Sequence, residues 1–163
     1  MQTTLLVVII IVLVTFRMKR PIPDERNCSY LIDGEVVTLV DGRSVAEIVE
    51  GSASKQVTDF IISKGGPDLN GDGRGDSAVF LRQRSGGSGT FYFIAAAFSL
   101  KNGYEGTNAV FLGDRIEPLD IEFDGDIIIV TYLDRLKGES FSEKPSDRKV
   151  IELMIEDGVL LKF

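Results

Sequence analysis

The sequence predicts a mainly β domain, an antiparallel barrel or sandwich of short strands with Asp-Gly hairpins, preceded by one N-terminal transmembrane helix. Three observations lead there. Asp-Gly pairs at 33–34, 41–42, 124–125 and 157–158 each separate β-prone runs, and Asp-Gly supplies the positive φ angles that a two-residue type I′ turn demands. Seventeen glycines against five prolines favour many tight turns over a disordered chain. Residues 1–16 carry no charged side chain, and residues 5–14 are uninterrupted Leu, Val and Ile.

That apolar run sets the first element. At ~1.5 Å per residue a helix over 1–16 covers about 24 Å, a little short of a ~30 Å hydrocarbon core. Snorkelling by Arg17 and Lys19 makes up the difference. A cleaved signal peptide fits poorly, because no basic residue precedes the run and no small-residue cleavage site follows it. Residues 17–28 then read as a charged, proline-containing linker, and 29–163 as the β domain.

Within that domain strands are expected at 35–40, 45–49, 77–82, 90–98, 108–112, 150–155 and 159–163. The plainest hairpin is Ile121-Glu122-Phe123-Asp124-Gly125-Asp126-Ile127-Ile128-Ile129-Val130. In 54–63, Val57, Phe60 and Ile61 fit a helical face, while Val57, Asp59 and Ile61 fit an alternating strand; the spacing favours a short helix. Short strands at regular intervals point to an antiparallel barrel or sandwich, and no internal repeat suggests a propeller or solenoid.

Composition closes off several chemistries. There is no histidine, which removes Ser-His-Asp, Cys-His and H-E-x-x-H catalysis from within the chain. A single cysteine, Cys28, excludes an internal disulfide and paired-cysteine zinc sites. From Asn27 onward there are 14 basic and 23 acidic residues, a net of −9, which disfavours nucleic acid as a partner.

One segment carries a ligand-binding pattern, Asp68-Leu69-Asn70-Gly71-Asp72-Gly73-Arg74-Gly75-Asp76. Oxygen side chains fall at loop positions 1, 3, 5 and 9, glycine at 6, and Arg74 at 7 offers a backbone carbonyl, a spacing suited to calcium. The metal ligands expected are therefore Asp68, Asn70, Asp72, Arg74 and Asp76, with Ca2+ as the ion. Position 12 is Val79, so the bidentate glutamate of a helical EF-hand is missing and a β-prone run follows. The loop resembles the D-x-N-x-D-G-x-x-D loops that precede a strand in FG-GAP and related extracellular repeats, and that resemblance makes Asp76 the late carboxylate ligand. Asp120, Glu122, Asp124 and Asp126 form a weaker acidic alternation, and Arg74-Gly75-Asp76 spells the integrin tripeptide.

Gly65–Gly66 with Asp68–Asp76, then Ser85-Gly86-Gly87-Ser88-Gly89-Thr90-Phe91-Tyr92, then Gly106-Thr107-Asn108-Ala109-Val110-Phe111-Leu112-Gly113-Asp114-Arg115-Ile116, occur in this order. The order resembles an uncharacterised family of membrane-anchored bacterial domains from small-genome candidate lineages, sometimes joined to META-type β domains. The resemblance spans roughly residues 30–130 and implies an envelope location, with no activity and no catalytic residues to carry over.

The expected function is a membrane-anchored, extracytoplasmic calcium-binding domain, non-enzymatic, binding an envelope protein or glycan. Its partners are the membrane, through the N-terminal helix, and that protein or glycan, with no nucleic acid. The three basic residues Arg17, Lys19 and Arg20 after the apolar run argue for a cytoplasm-facing scaffold instead. A carboxylate-based glycan-active enzyme, with Asp114, Glu117 and Asp134 as candidates, is the other alternative.

Overall fold

The computed structural model describes residues 24–51 and 53–163. The expected anchor at 1–16 and most of the linker lie outside the described residues. Among the described residues no helix is long and apolar enough to cross a membrane.

The fold is mainly β and antiparallel, built as three open layers. The middle layer is a six-stranded sheet of β3 (Arg43–Glu47), β4 (Lys55–Gly65), β5 (Ser77–Ser85), β6 (Phe91–Leu100), β7 (Gly103–Gly106) and β8 (Val110–Asp114). Its order follows the chain, and β7 and β8 share the edge of β6 end to end. A hairpin of β1 (Ser29–Ile32) and β2 (Glu35–Thr38) covers one face. A four-stranded meander of β9 (Glu117–Asp124), β10 (Ile127–Asp134), β11 (Asp147–Glu156) and β12 (Val159–Lys162) covers the other. The sheets stay open, with no closed barrel.

This layering explains why β5 and β6 read as continuous apolar runs. Ala78, Phe80, Ile94 and Ala96 pack with Ile121, Ile128, Val130, Ile151, Leu153 and Leu160 of the meander. Their neighbours Val79, Leu81, Phe93, Ala95 and Ala97 pack with Tyr30, Ile32, Val37 and Leu39 of the hairpin. Successive side chains point to opposite faces, so a strand covered on both sides must be apolar at every position.

The turns follow the local chemistry. Asp33-Gly34, Asp41-Gly42 and Asp157-Gly158 all have both φ angles positive, between 50° and 83°, as type I′ turns require. The fourth pair differs. Asp124 stays in β9 opposite Ile127, and the two-residue turn is Gly125-Asp126 with only Gly125 at positive φ, the type II′ pattern with glycine first.

Residues 54–63 correct the expected helix. All but Ser54 belong to β4, which pairs with both β3 and β5. A register shift between Phe60 and Ile62 marks a β-bulge. The inserted residue brings Ile61 and Ile62 to one groove with Phe80, while Phe60 packs toward the hairpin. Val57 and Phe60 precede the bulge and lie on opposite faces of β4. Phe60 packs against the hairpin core and Ile61 against the other core, so apolar residues on both faces produced the i, i+3, i+4 spacing that imitates a helix. The strand Gly103–Gly106 was not expected, having no β-branched residue.

The three layers meet at Thr107-Asn108-Ala109, where β7 gives way to β8. Leu31 of the hairpin donates its N–H to Thr107 O at 3.1 Å and accepts Ala109 N–H at 2.8 Å. The Asn108 carboxamide reaches the opposite layer: Nδ2 donates to Leu160 O at 2.9 Å and Oδ1 accepts Leu160 N–H at 2.7 Å. Thr107 completes the middle layer, donating N–H to Ala96 O and accepting Ala96 N–H on Oγ1. A side chain on Gly106 would collide with Tyr30 and the Ser29 carbonyl, so glycine permits the hairpin's close approach.

The start of the described chain is fastened to this framework. Asp24 caps the 3-10 turn Glu25–Asn27, accepting from Arg26 N–H. Glu25 accepts a 2.5 Å hydrogen bond from Ser63 Oγ, and its carbonyl accepts from Tyr30 Oη at 2.7 Å. Cys28 is buried and free, and burial pushes its thiol up to about 11.

Two outcomes follow. Asn108→Ala removes both bonds to Leu160 and should cost about 2 kcal/mol, read as a lowered midpoint in denaturant unfolding. Cys28 should resist thiol-alkylating reagents in native protein at pH 8 and react fully once unfolded, because only the thiolate is the nucleophile.

Candidate functional site

The acidic segment is the loop between β4 and β5, and its base continues their ladder. Gly66 N–H donates to Asp76 O at 2.7 Å and Asp76 N–H to Pro67 O at 2.9 Å. A side chain on Gly66 would collide with the Phe123 ring, so the loop leaves the sheet pressed against β9.

Asp68 organises the exposed arc. Its Oδ1 accepts N–H from Gly71 at 2.7 Å and Asp72 at 3.0 Å, and its Oδ2 accepts from Gly73 at 2.6 Å. The Gly73 amide leads the interactions that hold this carboxyl below the usual range, with Gly71 and Asp72 adding to it. Asn70 Oδ1 accepts from Asp72 N–H at 3.1 Å, and Asp72 Oδ1 from Arg74 N–H at 2.9 Å. Alternate residues thus close successive turns through their own side chains. Gly71 and Gly73 have φ of 79° and 87°.

Asp76 does something different. It is 1% exposed, and each oxygen accepts a backbone N–H: Oδ2 from Leu69 at 2.8 Å and Oδ1 from Ser99 at 2.8 Å. Arg74 Nε donates to Ser99 O at 2.7 Å. The loop is therefore stitched to the end of β6 through both main-chain groups of Ser99. With Asp76 buried, Arg74-Gly75-Asp76 is not displayed as an adhesion tripeptide.

The carboxylates do not converge as arranged. Asp72 Oδ2 pairs with Arg74 Nη2 at 2.5 Å. Among the described residues no group of three or more acidic, histidine or cysteine side chains stands together so as to hold a metal ion. The weaker acidic alternation is dispersed likewise: Asp120 meets Lys64 Nζ at 3.5 Å, and Gly125-Asp126 is spent on the turn.

Two of the catalytic candidates, Asp114 and Asp134, have structural partners, and Asp134 Oδ1 accepts from Arg135 N–H at 2.7 Å. Asp114 Oδ1 accepts from Thr90 N–H at 2.7 Å, and both its oxygens bond the Arg115 guanidinium. The Arg115 bond is the chief reason that its carboxyl sits below the ordinary range, which makes it a poor proton donor at neutral pH. Arg115 itself has φ of 53°. It is held there by Arg135 Nη1 donating to its carbonyl at 2.8 Å and by Phe141, whose ring centroid lies 3.8 Å from its guanidinium. The Leu112–Ile116 stretch is thus the crossover between the middle sheet and the meander.

One concave surface was not legible in the sequence. A groove of about 390 Å³ runs between β4 and β9, with Ile61, Phe80 and Ile121 on its floor and Lys64 and Asp120 at its rim. It lies beside the bulge in β4, and a bulge leaves no motif in the sequence.

Asp76→Ala should destabilise the fold by about 3 kcal/mol, since the buried Leu69 N–H and the half-buried Ser99 N–H lose a charged acceptor. Asp72→Ala, on the exposed arc, should change stability little in EDTA. Chemical denaturation of both variants checks the contrast.

Comparison with known protein families, with curated proteins and with solved structures found no match.

Proposed function

We propose that this chain is a non-catalytic binding domain, held at a bacterial cell membrane by residues 1–16 and facing outward, whose 68–76 loop takes a calcium ion. The observation that carries the ion reading is the curl around Asp68. Three backbone N–H groups fix that carboxylate, and alternation puts the Asn70 and Asp72 oxygens on the same exposed arc. Calcium takes about 6–8 oxygen ligands in flexible geometry. Asp68, Asn70, Asp72 and the Arg74 carbonyl would hold it, with water completing the shell. Asp76 is the fifth ligand in this reading, because a carboxylate oxygen that accepts one N–H keeps a second lone pair.

Binding requires Asp72 to release the Arg74 guanidinium, so the side chain at 74 competes with the ion while its carbonyl serves it. An acidic, anchored domain with an apolar-floored groove suits contact with an envelope protein or glycan.

Thermal unfolding of the full chain in non-ionic detergent, with millimolar calcium and with EDTA, tests the ion. Calcium should raise the midpoint by several degrees, equivalent to about 2.7 kcal/mol at a hundredfold excess over Kd. Asp72→Ala should abolish the shift, and Arg74→Ala should lower the calcium concentration needed for it. Loops of this kind usually need the calcium levels found outside cells, so superimposable curves with and without calcium would retire the ion and, with it, that argument for an outward-facing domain.

A further inference from the structure

Asp59, on β4, is the only carboxylate among the ion pairs of the described residues that more than one cation shares. Arg82 Nη2 lies 2.9 Å and Arg84 Nη2 2.8 Å from the same oxygen, Oδ2, and Arg43 Nε lies 3.8 Å from Oδ1. Each of the other ion pairs joins one cation to one carboxylate. The strand register builds this cluster. Asp59 stands opposite Arg43 on β3 and opposite Arg82 on β5, and Tyr92 on β6 continues the row. Arg84 lies two residues along β5 from Arg82 and so shares its face.

The face is the one that the meander covers further along, where Phe80 is buried. At the cluster the cover has ended, and the side chains of Arg82, Arg84 and Arg43 are 32%, 45% and 57% exposed. Three guanidiniums against one carboxylate leave a formal surplus of +2, on a domain whose net charge from Asn27 onward is −9.

A second observation falls at the same place. Arg82 Nε is the one buried side-chain nitrogen or oxygen among the described residues without a hydrogen-bond partner. Buried polar groups are nearly always satisfied, and an exception points to a missing water or ion. A guanidinium only donates, so what is missing is an acceptor. An acceptor there could be water or an anionic oxygen, and the surplus of positive charge carried by Arg43, Arg82 and Arg84 is what selects the anionic oxygen.

We infer that Arg43, Arg82 and Arg84 form a binding site for a phosphate group, with Asp59 positioning the guanidiniums beneath it. The surplus of two positive charges matches a phosphate monoester, which carries about −1.5 to −2 at neutral pH. The planar forks of Arg82 and Arg84 suit bidentate contact with its oxygens. A lipid headgroup and a soluble phosphate compound present this same chemistry.

The test uses the full chain in non-ionic detergent with EDTA present, which keeps calcium out of the reading. Thermal unfolding is followed against inorganic phosphate, with chloride at equal ionic strength as the control, and separately against micelles doped with phosphatidic acid or with phosphatidylcholine. Wild type should show a saturable upshift, with inorganic phosphate if the source is soluble or with phosphatidic acid alone if it is a headgroup. Arg84→Gln and Arg43→Gln, both at exposed positions, should weaken the response at least tenfold while leaving the phosphate-free midpoint nearly unchanged. Asp59→Asn, if it folds, should bind more tightly. A response no larger than chloride's in every arm, or one that Arg84→Gln and Arg43→Gln leave intact, overturns the site.

Discussion

The fold depends on one interrupted strand. Between β7 and β8 the edge of the middle sheet gives up its ladder for three residues, and the freed groups serve the other two layers. Thr107 O and Ala109 N–H pair with Leu31 of the hairpin, and the Asn108 side chain bonds both main-chain groups of Leu160 in the last strand. An asparagine suits this position because its amide presents one donor and one acceptor side by side, the same pair that a strand residue offers. No other described contact ties all three layers through consecutive residues. Burial drives the layers together, while this junction fixes how they are placed.

The same logic separates what could be read from the sequence from what could not. Asp33-Gly34, Asp41-Gly42 and Asp157-Gly158 were legible because positive φ is a property of the residues themselves. β5 and β6 were legible as strands, yet their double burial was not. Phe91, Phe93 and Tyr92, Ile94 look like one core face and one free face, and only the hairpin and the meander together cover both. β4 was hidden because it carries apolar residues on both faces, Phe60 on one and Val57 and Ile61 on the other, and together they imitate helical spacing. The Asp59 cluster left no trace in local spacing, because positions 43, 59, 82 and 84 become neighbours only through register.

The acidic loop shows a subtler gap. Asp68, Asn70, Asp72 and Asp76 are equivalent in a pattern of oxygen ligands, but the fold treats them unequally. Asp68 curls the arc, Asn70 and Asp72 close turns within it, and Asp76 lies beneath it, holding Leu69 and Ser99. Sequence spacing reports which oxygens share an arc. It does not report which of them the scaffold needs for itself, since that depends on a strand more than twenty residues away.

The position of Leu160 also orders events during synthesis. The hairpin and the middle sheet are complete in sequence before the meander begins, so a nascent chain can assemble two layers while the third is still in the ribosome. Until the meander emerges, the face bearing Phe80, Ile94 and Ala96 is an uncovered apolar surface, the kind that recruits chaperones or another copy of the chain. Asn108 meanwhile waits on water for a partner encoded more than fifty residues later. The bond between Asn108 and Leu160 can therefore form only after the last strand has been made.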